Sequence, residues 1–202
     1  MILRINRSEI IEEDFNEFRT QINDPYMEMM VKALAKVSSE YMFYDDAKHT
    51  ENTYVSELYY QWRQLLDNNN PNGLILNIEP NKYLNRSGLK KRVEPDVILH
   101  GSQTNCQDNR IACEVKRQGW CEERLIKDMD TLHDLLTSAE IGTVFHQNFK
   151  WAVFLQIGGT IERLKDYIKQ NSFNDNIWCI VVDDSVTQIT IKRIRELKND
   201  RI

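Results

Sequence analysis

The apolar positions fall into two textures, divided by the run NNNPNG at 68–73. Upstream of it the spacing is helical. Ser8–Ile22 opens on a capping-type serine followed by acids, which predicts a helix. Asp24–Phe43 predicts a second, with Asp24 as N-cap and Pro25 at the first helical position. After the polar interval DDAKHTEN, Tyr54, Val55, Leu58, Tyr59, Trp62, Leu65 and Leu66 form one apolar stripe, so Thr53–Asp67 predicts a third helix. No strand is expected in the first seventy residues. NNNPNG is a strong stop and turn.

Downstream, short apolar runs alternate with helical stripes. Leu74–Ile78, Val93–His100 and Arg110–Lys116 predict strands, and LNRSGLKKR between the first two reads as a loop or hairpin connection. Glu122–Thr137 carries Leu125, Met129, Leu132 and Leu136 at helical spacing. Trp151–Ile157 is almost continuously apolar, the pattern of a strand covered on both faces. Strand, helix and strand then make a βαβ unit. Ile161–Gln170 predicts a helix, and Ile177–Val182 and Val186–Ile194 closing strands. The fold class is therefore α/β, with residues 1–50 as a helical N-terminal extension and 51–202 as the α/β core.

Composition narrows the function classes. Apolar residues make up 41% of the 202 positions, enough for a core, and no apolar run reaches membrane-spanning length. The N-terminus turns acidic before a signal-type apolar region forms, so a cytoplasmic protein is expected. The net charge of -5 argues against bulk electrostatic coating of nucleic acid, while 26 Lys and Arg leave room for a local basic cleft. Cys106, Cys113, Cys121 and Cys179 form no CxxC pair, and the histidines show no metal-ligand spacing, so no structural zinc site is expected.

The chemistry concentrates in EPDVILHGSQTNCQDNRIACEVKRQG, residues 94–119. Strand alternation puts Ile111, Cys113 and Val115 on one face, and Ala112, Glu114 and Lys116 on the other. Glu114 and Lys116 are then about 6.6 Å apart along the strand. Short connections between paired strands would bring Asp96 beside them. Two carboxylates offer the hard oxygens that Mg²⁺ prefers, and a lysine alongside stabilises developing negative charge. That set suits metal-assisted phosphodiester hydrolysis.

With Pro95-Asp96 followed by Glu114-Val115-Lys116, each in an apolar strand setting, the chain resembles the PD-(D/E)xK nuclease superfamily. The resemblance covers roughly residues 51 to 160, in the order helix, strand, PD strand, ExK strand, helix, strand. It implies a restriction-endonuclease-like mixed central sheet flanked by helices. It also implies an endonuclease, a hydrolase cutting DNA phosphodiesters with Mg²⁺, for which Mn²⁺ would substitute. Asp96 and Glu114 would be metal ligands and Lys116 the water-orienting, charge-stabilising residue. Glu57, on the helix before the sheet, would be a supporting metal-site acid, with Glu51 and Glu40 as fallbacks.

Arg92 and Arg117 flank the motif and are expected to contact phosphates, whereas Lys90 and Lys91 read as solvated loop charges. Trp120 is a candidate substrate-facing aromatic, and His100 a polar strand end. Restriction-type enzymes often cut as dimers, so a homodimer is a further expectation. The competing reading is a non-catalytic binding or assembly protein of the same fold, docking a protein partner through an acidic surface.

Overall fold

The computed structural model describes residues 3–6, 14–43, 51–79, 82–86, 89–101, 108–137, 148–183 and 188–199. In chain order the elements are β1 (Leu3–Asn6), α1 (Asp14–Gln21), α2 (Pro25–Lys36), α3 (Glu40–Phe43) and α4 (Glu51–Asn68). Four strands follow, β2 (Ile75–Ile78), β3 (Lys82–Arg86), β4 (Leu89–Val93) and β5 (Val97–His100). The chain continues through β6 (Ile111–Arg117), α5 (Glu122–Thr137), β7 (Trp151–Ile157) and α6 (Ile161–Gln170). It closes with β8 (Trp178–Val182), β9 (Gln188–Arg193) and α7 (Ile194–Asn199).

Seven strands make one mixed open sheet in the order β1-β9-β8-β7-β6-β5-β2, and β3 and β4 form a separate hairpin. β6, β7 and β8 run parallel, and the outer pairings are antiparallel. Side-chain alternation divides the interior into two apolar layers. Ile111, Cys113 and Val115 of β6 pack with the stripe of α4 and with Met27, Met30 and Leu34 of α2. Ala112 of the same strand faces the other layer, with Leu125, Met129 and Leu132 of α5 and Leu164 of α6. Helices therefore cover both faces, which is why β7 is apolar at every position but Gln156.

Three expectations change here. A strand does occur in the first seventy residues: β1 pairs with β9, Leu3 opposite Ile191. Four residues carry too little local signal; the strand forms because β9 offers an open edge. The single helix expected over Asp24–Phe43 is broken, because Val37 takes an extended conformation as the cap of α2 and Ser38 Oγ accepts from Glu40 N (3.3 Å) to start α3. The run Val93–His100 is also split, Val93 ending β4 and β5 starting only at Val97. Residues 8–13, in the first expected helix, lie outside the described set.

α2 is tied to the sheet at its first turn. Asp24 caps it by accepting from Tyr26 N (3.0 Å) and Met27 N (3.2 Å). The same carboxylate accepts from Lys150 Nζ (2.6 Å) and Trp151 Nε1 (2.9 Å) at the start of β7.

Candidate active site

β5 and β6 pair in the register Val97 with Cys113 and Ile98 with Ala112. Continued by one residue, that register sets Asp96 opposite Glu114. Backbone pairing stops there, and the Asp96 carboxylate takes over: its Oδ2 accepts from Val115 N at 2.6 Å. The buried N–H beyond the end of the ladder thus finds a side-chain acceptor. It also fixes Asp96 beside Glu114, close enough for the Asp96 charge to act on the Glu114 carboxyl.

Lys116 lies next along β6 and turns its ammonium back over this pair. Its Nζ donates to Glu51 Oε1 and to the Val115 carbonyl, both at 3.0 Å. It stands 3.3 Å from Asp128 Oδ2 and 4.0 Å from Asp96 Oδ2. One ammonium therefore faces three carboxyl groups from three parts of the fold: Asp96 just before β5, Glu51 at the first residue of α4, and Asp128 in the middle of α5. Gly119 (φ 93°) turns the chain out of β6 before α5 begins, which returns Asp128 to the strand end.

The electrostatics follow from that count. Burial, opposed by the Val115 hydrogen bond and by Lys116, pushes Asp96 up to about 6. Glu114 is only 4% exposed, and burial together with the charges of Asp96 and Asp128 raises its carboxyl well above the usual range. Burial raises Asp128 as well. Its Oδ2 is buried without a well-formed hydrogen bond, so the Lys116 contact is an ion pair only. For Lys116 burial works against the charged form, yet Asp96, Asp128 and Glu51 outweigh it and hold the ammonium above the ordinary lysine range. The cluster is short of positive charge.

The structure thus brings together Asp96, Glu114 and Lys116. It does not bring Glu57 to them. Glu57 lies six positions beyond Glu51 on α4, off the face that i+3 and i+4 neighbours share, and accepts from Gln61 Nε2 at 2.7 Å. Glu51 reaches Lys116 in its place. Among the described residues no three His, Cys, Asp or Glu side chains are gathered to hold a metal ion, so the set Asp96, Glu114 and Glu57 is not formed.

Asp128 was missed by sequence reasoning, although a signal exists. It sits three residues after Leu125 and four before Leu132, a carboxylate inside the apolar stripe of α5. Arg117 ends β6, half-buried. The side chains of Arg92, Lys90 and Lys91 lie outside the described residues. Trp120 is packed rather than open. Its Nε1 donates to Gln156 Oε1 (3.2 Å), the Tyr167 ring meets it at 5.3 Å, and Arg163 lies 5.6 Å from its centroid. His100 is buried at the far end of β5 against Asn77 (2.9 Å), away from the cluster.

No family model, curated protein or solved structure matches the chain. Among the described residues no helix is long and apolar enough to cross a membrane.

Proposed function

We propose that the chain hydrolyses DNA phosphodiester bonds as a Mg²⁺-dependent endonuclease of the PD-(D/E)xK type, on a restriction-endonuclease-like core. The observation that carries this reading is the meeting of Asp96, Glu114 and Lys116 at the carboxyl end of β6. The sequence of α4, β2, β5, β6, α5 and β7 supports it, being the element order that the resemblance implies.

The donor set fits a magnesium ion, which takes one or two carboxylates and completes its shell with water and substrate oxygens. Asp96 and Glu114 would hold it, and burial raises both carboxyls, a cost that a bound cation would offset. Bound there, the metal would supply Lewis acidity and a water of lowered pKa.

The chain's own residues do the rest. Val115 N clamps one oxygen of Asp96 and so fixes the direction of the other. Glu51, Asp128 and the Val115 carbonyl hold the Lys116 ammonium at the cluster. Because these carboxylates keep it protonated, Lys116 works as a fixed cation facing negative charge on the phosphate, not as a base. Arg117, at the end of the same strand, and Arg92, on β4, are proposed contacts to the DNA backbone.

A second reading, a non-catalytic protein that docks a partner, is favoured by one observation: the Lys116 ammonium already fills the centre of the carboxylates. A plasmid assay separates the two. Nicking that needs Mg²⁺ or Mn²⁺, stops with EDTA and is lost in Asp96→Asn supports the nuclease. No nicking with either ion, together with no calorimetric metal binding, assigns the docking protein.

A further inference from the structure

At the opposite end of the parallel strands, where β7 and β8 begin and β9 and α5 end, a cavity of about 330 Å³ opens. That volume lies in the range of small-molecule sites. Trp151 and Trp178 line it, their rings edge to face with centroids 6.0 Å apart. Each indole carries a cation: Lys150 Nζ stands 5.2 Å from the Trp151 centroid and the Arg193 guanidinium 4.4 Å from that of Trp178. Asn148 and Asn176 are exposed at the rim, and no Asp or Glu is among the described lining residues. The two charged groups of its described lining are both cations.

The two cations differ. Lys150 is already engaged by Asp24 at 2.6 Å. Arg193 is not matched in that way, since Glu196, the acid nearest to it in sequence, gives a carboxylate oxygen to the Arg193 backbone N–H at 3.0 Å. The guanidinium stacks on Trp178 and lines the cavity.

We propose that this cavity binds a nucleoside monophosphate, with Arg193 on the phosphate, the half-buried Trp151 indole against the base and the asparagine amides on the base edge. A guanidinium matches two phosphate oxygens at once. A base needs an aromatic or apolar wall to stack on. An Asn amide offers a donor and an acceptor side by side, the pattern of base edges. A free nucleotide and the terminal nucleotide of a strand share this chemistry. The site stands apart from the carboxylate cluster and does not rest on the nuclease reading. Trp151 and Gln156 are at opposite ends of β7, about 17 Å apart by strand rise.

The test is calorimetric titration of the full chain in EDTA with the four nucleoside 5′-monophosphates, their nucleosides, inorganic phosphate, and 5′-phosphorylated or 5′-hydroxyl oligonucleotides. At least one monophosphate is expected to saturate the protein and to bind about tenfold more tightly than its nucleoside and than phosphate. Arg193→Gln should weaken that binding about tenfold, and Asn176→Ala by less, both with the wild-type thermal midpoint. Tighter binding of the 5′-phosphorylated oligonucleotide, lost in Arg193→Gln, assigns a strand terminus. Equal or tighter binding of the monophosphate assigns the free nucleotide. The proposal is overturned if neither ligand saturates, if phosphate alone binds as tightly as the nucleotides, or if both folded variants bind like wild type.

Discussion

Asp24 and Asp96 are both drawn into the fold by main-chain N–H groups, and beyond that their surroundings diverge. Asp24, 4% exposed, collects two backbone donors, the Lys150 ammonium and the Trp151 indole. Burial opposes its charge, but those hydrogen bonds outweigh it and hold the carboxyl below the usual range. Asp96 has one backbone donor, a lysine 4.0 Å away and two further carboxyls, Glu51 and Asp128, around that lysine, and is pushed up to about 6. The first acid is compensated and joins α2 to β7. The second is left short of positive charge in a place that a folding requirement alone would have filled with an apolar residue. Perturbed acids that nothing local satisfies mark functional sites more often than structural ones.

The comparison is broken most decisively at Lys116. If the acid cluster exists for chemistry, Lys116→Ala should lower DNA cleavage by a factor on the order of 10²–10³, the usual cost of one electrostatic contact to the transition state. Single-turnover cleavage with Mn²⁺ measures it. Unchanged turnover would move the active site elsewhere or expose a contaminating nuclease.

The next effect is on stability, at Asp24. Asp24→Asn loses charge-assisted bonds to Lys150 and strains the cap of α2, so a loss of about 2–3 kcal/mol is expected. For a domain of this length that is roughly 5–10 °C in thermal midpoint. Asp96→Asn should do the opposite in EDTA at pH 7.5, stabilising by about 1 kcal/mol, because it removes a charge that burial disfavours. A loss of stability in both variants would erase the distinction between the two acids.

Proton linkage sharpens the same contrast. A carboxyl raised to about 6 in the folded state favours the native protein below its ordinary 3.8, and that contribution is lost as pH rises through about 6. A carboxyl held below 3.8 contributes above that value and loses its effect as pH falls through the folded pKa. Metal-free protein should therefore gain about 1–2 kcal/mol from Asp96 between pH 7.5 and 5, and lose the Asp24 contribution only below about pH 4. Urea midpoints of wild type and Asp96→Asn across this range isolate the first term: the two curves should converge toward pH 5. Parallel curves would mean that Asp96 titrates normally.

Much of this was legible beforehand, and the gaps have a common cause. α5, β7 and α6 fall where periodicity places them, because each element buries a stripe or face long enough to dominate its own pattern. Asp96, Glu114 and Lys116 could be read as one group because strand alternation and the pairing of successive strands leave little freedom between them. β1 is invisible locally, since its pairing with β9 joins opposite ends of the chain. That Glu51 and not Glu57 is the α4 acid on Lys116 was hidden for a related reason. Which residue of α4 meets Lys116 depends on how the helix is placed along the sheet, and no local pattern encodes that placement.

The smallest expected effect turns on that last point. Glu51 and Glu57 are both acids of α4, but Glu51 Oε1 accepts from Lys116 while Glu57 accepts from Gln61. Glu51 is partly exposed, with 31% of its side chain accessible, so its ion pair with Lys116 is worth little as stability, about 0.5 kcal/mol. Its effect should instead appear in the reaction. With Glu51→Gln, Lys116 keeps Asp128 and the Val115 carbonyl as anchors but loses a charged one, so the ammonium is less closely held. A few-fold drop in single-turnover cleavage is expected, about 1 kcal/mol in barrier, with little change in metal affinity. Glu57→Gln should match wild type in cleavage, in Mn²⁺ binding and in thermal midpoint, because an amide at that position still pairs with Gln61. Reversed results, with Glu57→Gln weakening Mn²⁺ binding and Glu51→Gln silent, would mean that α4 slides or rotates when metal binds, and that Lys116 gives up Glu51 in the working enzyme.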